Sequence, residues 1–220
     1  MSKNSSNNQY YQMPFLKEFI IKDKTKIKLW KVMMGELNTK ELNSDEKNLL
    51  RLKKNNILRE QSLATRKVLA LENSDYKITY NNNGKPSLNS KYNISISHSH
   101  EIAAVAISDN SKIGLDVQLK ESKIVNIQNK FLNKYEKSNI GDDPTVDILT
   151  MVWTSKESIY KAVGLKGISF SKNIKIDKVI EKDKIGIGYY INGTEKVKFD
   201  LKFFYVDEYT ICFAYQNPKL

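Results

Sequence analysis

The chain has 220 residues, 40% of them hydrophobic, with 36 Lys or Arg against 25 Asp or Glu and a net charge of +11. At ~150 residues per domain this is one large domain or two small halves, long enough to bury a core. A lone cysteine, Cys212, excludes a disulfide framework and any multi-cysteine metal site. No apolar run reaches the ~18 residues of a membrane helix, and the opening MSKNSSNNQYYQ has no apolar stretch of signal-peptide length. A soluble protein of the cytoplasm, with no membrane partner, is expected. The charge alone suggests nucleic acid. Yet only Arg51, Arg59 and Arg66 among the basic residues are arginine, 22 residues are Asn, and the lysines are scattered. That is the signature of an AT-rich coding sequence, so no nucleic-acid partner is expected.

Residues 1–12 are polar and rich in Ser and Asn, a tail with little to pack. Apolar residues from Phe19 to Met33 suggest strand pieces. Ser44 or Asp45 can cap a helix through Leu49, Leu50 and Leu52. Ile57, Leu58, Leu63, Ala64, Val68, Leu69 and Leu71 recur by threes and fours, predicting a second helix. Asn81-Asn82-Asn83-Gly84 is a turn. Tyr92 to Ser97 alternates as a half-buried strand. Ile102–Ile107 and Ile113–Leu119 follow, the latter pair joined by the turn Asp109-Asn110-Ser111, and the three read as an antiparallel meander. A helix is expected near Ile124–Leu132. Asp143 suits an N-cap and Pro144 the first position of an amphipathic helix that Gly164 ends. Val197–Tyr215 holds two alternating runs about Asp207-Glu208-Tyr209. The fold class is α+β: a lobe over 13–112 and a similar lobe over 113–220.

Several residues could carry chemistry. In Gly114-Leu115-Asp116-Val117-Gln118, Asp116 and Gln118 share a strand face and point away from Leu115 and Val117. Asp is disfavoured on strands, and an edge-strand charge is the plain alternative. Glu157 lies one helical turn from Trp153 and from Lys161, at the border of the apolar stripe. It is either one half of a Glu–Lys surface pair, stabilising by roughly 0.3–0.5 kcal/mol, or a half-buried carboxylate fit for a metal or a proton. His98 and His100 are the only histidines. With no third His and no nearby Cys, they leave a zinc site incomplete, so a catalytic metal would be an oxygen-liganded ion of the Mg²⁺ type. Lys85, in Gly84-Lys85-Pro86, is simplest as a solvated turn lysine. Arg59 and Arg66, two helical turns apart, hint at an anion site. Cys212, between Ile211 and Phe213, reads as core.

The order of these signals is more specific than any of them. Gly-Lys-Pro is followed by Asn93-Ile-Ser95-Ile-Ser97-His98-Ser99, then Ile113-Gly-Leu-Asp116, then Trp153-Thr-Ser-Lys156-Glu157-Ser-Ile-Tyr-Lys161. This resembles the 4′-phosphopantetheinyl transferase superfamily in its larger, surfactin-synthetase-activating type, over roughly Arg59 to Phe170. The resemblance implies two lobes related by a pseudo-two-fold, a site between them and a monomer. It implies transfer of 4′-phosphopantetheine from coenzyme A to a serine of an acidic acyl or peptidyl carrier protein, with release of adenosine 3′,5′-bisphosphate. Asp116 and Glu157 would hold Mg²⁺, with Gln118 where many relatives place another acid. Lys161 and His98 would meet the phosphates, and Ser97, Lys85, Arg59 and Arg66 would line the coenzyme A site. Glu157 could also take the serine proton. The rival readings are a basic nucleic-acid-binding protein and a relative that binds coenzyme A or a carrier without turnover.

Overall fold

The computed structural model describes residues 15–22, 25–35, 39–40, 42, 44–72, 75–89, 92–109 and 112–216. The tail read at 1–12, the Asn110-Ser111 turn and the side chain of Asp45 lie outside the described residues. The order is β1 (Phe15–Lys22), β2 (Thr25–Lys31), α1 (Ser44–Arg51), α2 (Asn56–Glu72), β3 (Ile78–Tyr80), β4 (Pro86–Leu88), β5 (Asn93–Ser99), β6 (Ile102–Ser108) and β7 (Ile113–Leu119). Then come α3 (Lys123–Phe131), α4 (Lys134–Ile140), α5 (Val146–Val163), α6 (Phe170–Asn173), β8 (Ile174–Ile180), β9 (Ile185–Asn192), β10 (Glu195–Val206) and β11 (Tyr209–Tyr215).

The architecture mixes helices with three antiparallel sheets among the described residues. One sheet runs β1-β2-β6-β5, a second β7-β11-β10-β9-β8, and β3 pairs with β4. The first sheet is covered by α2, through Ala64, Val68 and Leu69 against Ile94, Ala103 and Val105. The second is covered by α5, through Leu149, Val152 and Ile159 against Phe199, Leu201 and Phe203. The other faces of the two sheets meet in a shared core: Ile27, Leu29 and Ala104 on one side, Leu115, Val117, Ile211 and Phe213 on the other. The halves are therefore welded by a common apolar layer.

The meander expected over 92–119 does not form. β5 and β6 make a hairpin, but β7 leaves for the second sheet and pairs with β11. The reason lies in the polar face of β5, which does not meet solvent. Ser95 Oγ accepts the Leu115 N–H at 2.8 Å, Ser97 Oγ the Val117 N–H at 3.2 Å and Ser99 Oγ the Leu119 N–H at 3.2 Å. These are the β7 amides turned away from β11, and Leu115 and Val117 are fully buried. Without the hydroxyls they would be orphaned donors. A ladder of serine side chains thus replaces a backbone ladder between two sheet edges.

Helix α5 begins later than Asp143. Thr145 is its N-cap, accepting the Ile148 N–H at 3.3 Å. Thr145, itself extended at φ −65° and ψ 157°, supplies the capping hydroxyl, so Pro144 lies before the helix and not at its first position. The helix ends at Gly164, in the left-handed region with φ 68°. β8 and β9 had no clear sequence signal. Gly186 and Gly188 break the apolar alternation of β9, and a Cβ at Gly188 would lie 2.5 Å from Ile159 Cδ1 of α5. Glycine here marks a close approach, which propensity alone reads as a weak strand.

The tightest approach is at Gly114 of β7, where a Cβ would stand 1.8 Å from the Ser158 carbonyl oxygen of α5. A side chain can swing aside; a helix carbonyl moves only with its helix. Gly114→Ala is therefore expected to cost more than the ~1–3 kcal/mol usual for overpacking, whereas Gly188→Ala stays within that range. Urea unfolding of the two variants checks the ranking, and equal midpoints would refute it.

Candidate active site at the junction of the two sheets

The contact at Gly114 decides what lies beside it. Two residues along β7, Asp116 faces α5 and is 2% exposed. Its Oδ1 accepts from Lys161 Nζ at 2.7 Å and from Ser97 Oγ at 2.8 Å, and its Oδ2 accepts from Gln118 Nε2 at 3.1 Å. β7, β5 and α5 thus converge on one carboxylate. Asp116 and Gln118 do share a strand face, as the spacing implied, but that face is covered by the helix. A carboxylate offers about four acceptor positions. Three are filled, and the open one is on Oδ2.

Glu157 stands on the same helix one turn before Lys161. It is half-buried and has no hydrogen-bond partner among the described residues. Burial first, and the charge of Asp116 second, push its carboxyl up to about 7, with Lys161 pulling the other way. Its plain alternative, a surface Glu–Lys pair, is not what forms: Lys161 gives its ammonium to Asp116. His98 extends from β5 with its surface reaching solvent. Desolvation by its neighbours, then the charges of Lys161 and Lys53, hold it below the ordinary imidazole value. His100 is not its partner on a strand face. It lies past the end of β5 with φ 48°, in the turn to β6.

Beside Lys161 a cleft opens, bounded by the 83–86 turn, Ile94 and Ile96 of β5, and Tyr160, Gly164 and Leu165. Lys85 is not a free turn lysine. Its Nζ donates to the Ala162 carbonyl at 2.7 Å, capping the end of α5, and its stem fills the space over Gly164. Asn83 Nδ2 donates to the Gly164 carbonyl at 3.0 Å. Burial, then the charge of Lys112, lowers the Lys85 ammonium from its usual value. Lys53 and Lys112 had no distinguishing sequence signal, because lysine is everywhere in this chain. Lys53 is felt by His98 and Lys112 by Lys85, while Lys85 and Lys161 are the cations that line the cleft.

The two arginines divide. Arg59 is exposed on α2. Arg66 is 4% exposed, 3.3 Å from Glu46 of α1, with Nη1 donating to Ser62 O and Oγ. They share no open face, and neither contacts Asp116, Glu157 or Lys161 among the described residues.

Trp153 and Lys156 of the same segment are structural. Trp153 packs edge-on to Phe131 and against Phe170, with ring centroids 5.1 and 5.4 Å apart. Lys156 is fully buried, 2.8 Å from Glu136 and donating to the Phe170 and Ile174 carbonyls. Glu136 also takes the Ile176 N–H at 2.7 Å and closes a capping box on Asn133. Cys212 is a buried core residue, its thiol pushed up to about 12 by burial.

No group of three His, Cys, Asp or Glu able to hold a metal gathers among the described residues. Asp116, Glu157 and the Gln118 carbonyl are instead a sparse hard-oxygen set. That suits Mg²⁺, which keeps waters and takes its other ligands from substrate phosphates. Two carboxylates in mutual repulsion, one with an open acceptor position, fit such an ion.

Residues 112–214 match the family model of the 4′-phosphopantetheinyl transferase superfamily. The matched stretch contains Asp116, Gln118, Glu157 and Lys161, and supports a transferase of that type there; Ser97, His98 and Lys85 precede it. No curated protein matches the chain. No helix among the described residues is long and apolar enough to cross a membrane.

The raised Glu157 carboxyl has a signed consequence for stability. The folded state holds that proton more tightly than the unfolded state, so stability falls as pH climbs from about 4.5 to about 7 and stays lower above. At 1.36 kcal/mol per pKa unit the burden is on the order of 3 kcal/mol in metal-free buffer. Glu157→Gln is expected to be more stable than wild type at pH 8, by up to that amount, and no more stable below pH ~4.5. Urea unfolding at the two pH values checks it; a variant no more stable at pH 8 would show that the carboxylate carries no such burden.

Proposed function

We propose that the protein transfers the 4′-phosphopantetheine arm of coenzyme A to a serine hydroxyl of an acyl or peptidyl carrier protein, releasing adenosine 3′,5′-bisphosphate. It would act as a monomer of the larger, surfactin-synthetase-activating type, with lobes over 13–112 and 113–220 related by a pseudo-two-fold, in the cytoplasm. The observation that carries this is the convergence of Asp116, Glu157, Lys161 and Gln118 beside a cationic cleft where the two sheets join, inside the matched stretch.

Transfer of this kind is displacement at phosphorus, so the protein's part is positioning and charge neutralisation. Mg²⁺ held by Asp116 and Glu157, with the Gln118 carbonyl or a water it orients, would neutralise the pyrophosphate. Lys161 meanwhile balances Asp116 and is placed to pair with a phosphate when the cation arrives. His98, held neutral among lysines, gains reason to charge when phosphate enters beside it. Glu157, half-buried and with no hydrogen-bond partner among the described residues, would take the proton of the attacking serine. Lys85 supports the coenzyme A cleft from the end of α5, and Arg59 is the exposed arginine left to reach a phosphate. The net charge of +11 favours an acidic carrier as partner.

Incubation with coenzyme A, Mg²⁺ and an apo-carrier should add one phosphopantetheine arm to the carrier by intact mass. Glu157→Gln should lower the rate by at least the ~10²–10⁴-fold typical of a general base. An unmodified carrier with the wild-type protein would overturn the proposal, whereas binding without turnover would support the non-catalytic rival.

Gln118→Glu tests the metal side. The Gln118 amide lies 3.1 Å from Asp116 Oδ2, so the new carboxylate would repel Asp116 in metal-free protein and attract a divalent ion. Desolvation offsets most of that attraction. The half-saturating Mg²⁺ concentration for transfer is expected to fall roughly tenfold, about 1.4 kcal/mol. An unchanged or higher value would mean that Gln118 does not face the ion.

A further inference from the structure

The serine ladder between β5 and β7 does more than join two sheets, because one of its three hydroxyls also touches the central carboxylate. A serine hydroxyl has a single proton to donate. The Ser97 hydroxyl accepts the Val117 N–H at 3.2 Å and donates that proton to Asp116 Oδ1 at 2.8 Å. Ser95 and Ser99 accept the equivalent amides of Leu115 and Leu119, and neither contacts Asp116. Ser97 is 4% exposed, and with its proton committed to Asp116 it has none left for a phosphate.

We propose that Ser97 is a positioning residue: it ties the Asp116 carboxylate to the sheet junction through Oδ1 and so turns the open position of Oδ2 toward the cation. The inference rests on the metal-dependent transfer reading. It assigns Ser97 a place behind the metal site, where the family resemblance implied a contact with coenzyme A. Two donors hold Oδ1, from Ser97 and Lys161, and of these only Ser97 is anchored on a strand. Lys161 is a flexible side chain, 27% exposed, that a phosphate can draw away. When it leaves, Ser97 is what keeps Asp116 in place. Partners of this kind behind a metal ligand typically contribute 10–100-fold to metal affinity.

The test compares Ser97→Ala with Ser95→Ala, which also orphans one buried amide but leaves Asp116 untouched. Mg²⁺ is titrated calorimetrically into each protein with coenzyme A present and no carrier, so no turnover occurs, against a blank of coenzyme A alone. Ser97→Ala should bind Mg²⁺ at least tenfold more weakly than wild type, and Ser95→Ala within twofold of it. In transfer assays Ser97→Ala should lower kcat and raise the half-saturating Mg²⁺, leaving KM for coenzyme A unchanged. If Ser97→Ala does not fold, Ser97→Cys keeps the volume with a weaker donor and should show the same direction of change. A raised KM for coenzyme A with wild-type Mg²⁺ binding would make Ser97 a substrate ligand and overturn the proposal. Equal weakening in Ser95→Ala would reduce it to a general effect of the sheet junction. Wild-type protein that neither binds Mg²⁺ nor modifies a carrier would defeat the transferase reading itself, while intact wild-type transfer with unaltered Mg²⁺ binding in Ser97→Ala defeats only this one.

Discussion

The closeness of helix α5 to strand β7 governs the whole site. At Gly114 no side chain separates strand from helix, and the Ser158 carbonyl occupies the space a Cβ would need. Small or polar residues line the same helix face: Thr154, Ser155 and Ser158 are all fully buried. Ser158 adds a hydrogen bond of 2.8 Å to the Cys212 carbonyl of β11. With the backbones that near, a strand aspartate and a helix lysine meet at 2.7 Å while Glu157 stays close enough to feel Asp116's charge. A bulkier layer would part them and leave two unrelated surface charges.

Charge then sorts the two carboxylates. Asp116 is met by an ammonium, a hydroxyl and an amide. Glu157 receives none of these and sits beside an anion. The protein thus satisfies one acid and leaves the other short of partners. Unpaired half-buried charge costs stability, and a divalent ion or a proton would relieve that deficit. Local destabilisation of this kind is common at functional sites, where the surrounding structure must hold the arrangement.

That support comes from the same helix. Trp153 and Lys156 fasten α5 to α3, α6, β8 and Glu136, while Glu157 and Lys161 face the junction. A buried lysine bonded to a carboxylate and two carbonyls is costly to break and directional. It fixes the helix about its axis, and so the aim of the residue next to it. Lys85 closes the far end by capping the last turn. One short segment of a single helix therefore combines anchoring residues with candidate site residues.

Much of this was legible in the residues alone. Periodicity located α2, α5 and the strands at 93–119 and 197–215, because burying one face of a regular element writes a repeat of 3.6 or 2 into the sequence. The order of Gly114-x-Asp116, Glu157 and Lys161 singled out the residues that converge on β7 and α5. Spacing within one element says nothing about its partner, and there the tertiary structure decided. The alternating serines of β5 look like a solvent face until the amides of another sheet's edge fill it. Arg66 and Lys85 read as free cations until Glu46 and the Ala162 carbonyl come into reach. β9 hides behind two glycines because its missing side chains make room for a neighbour. A sequence records what each residue can offer; which offer is taken depends on the groups that long-range packing sets within about 3 Å of it.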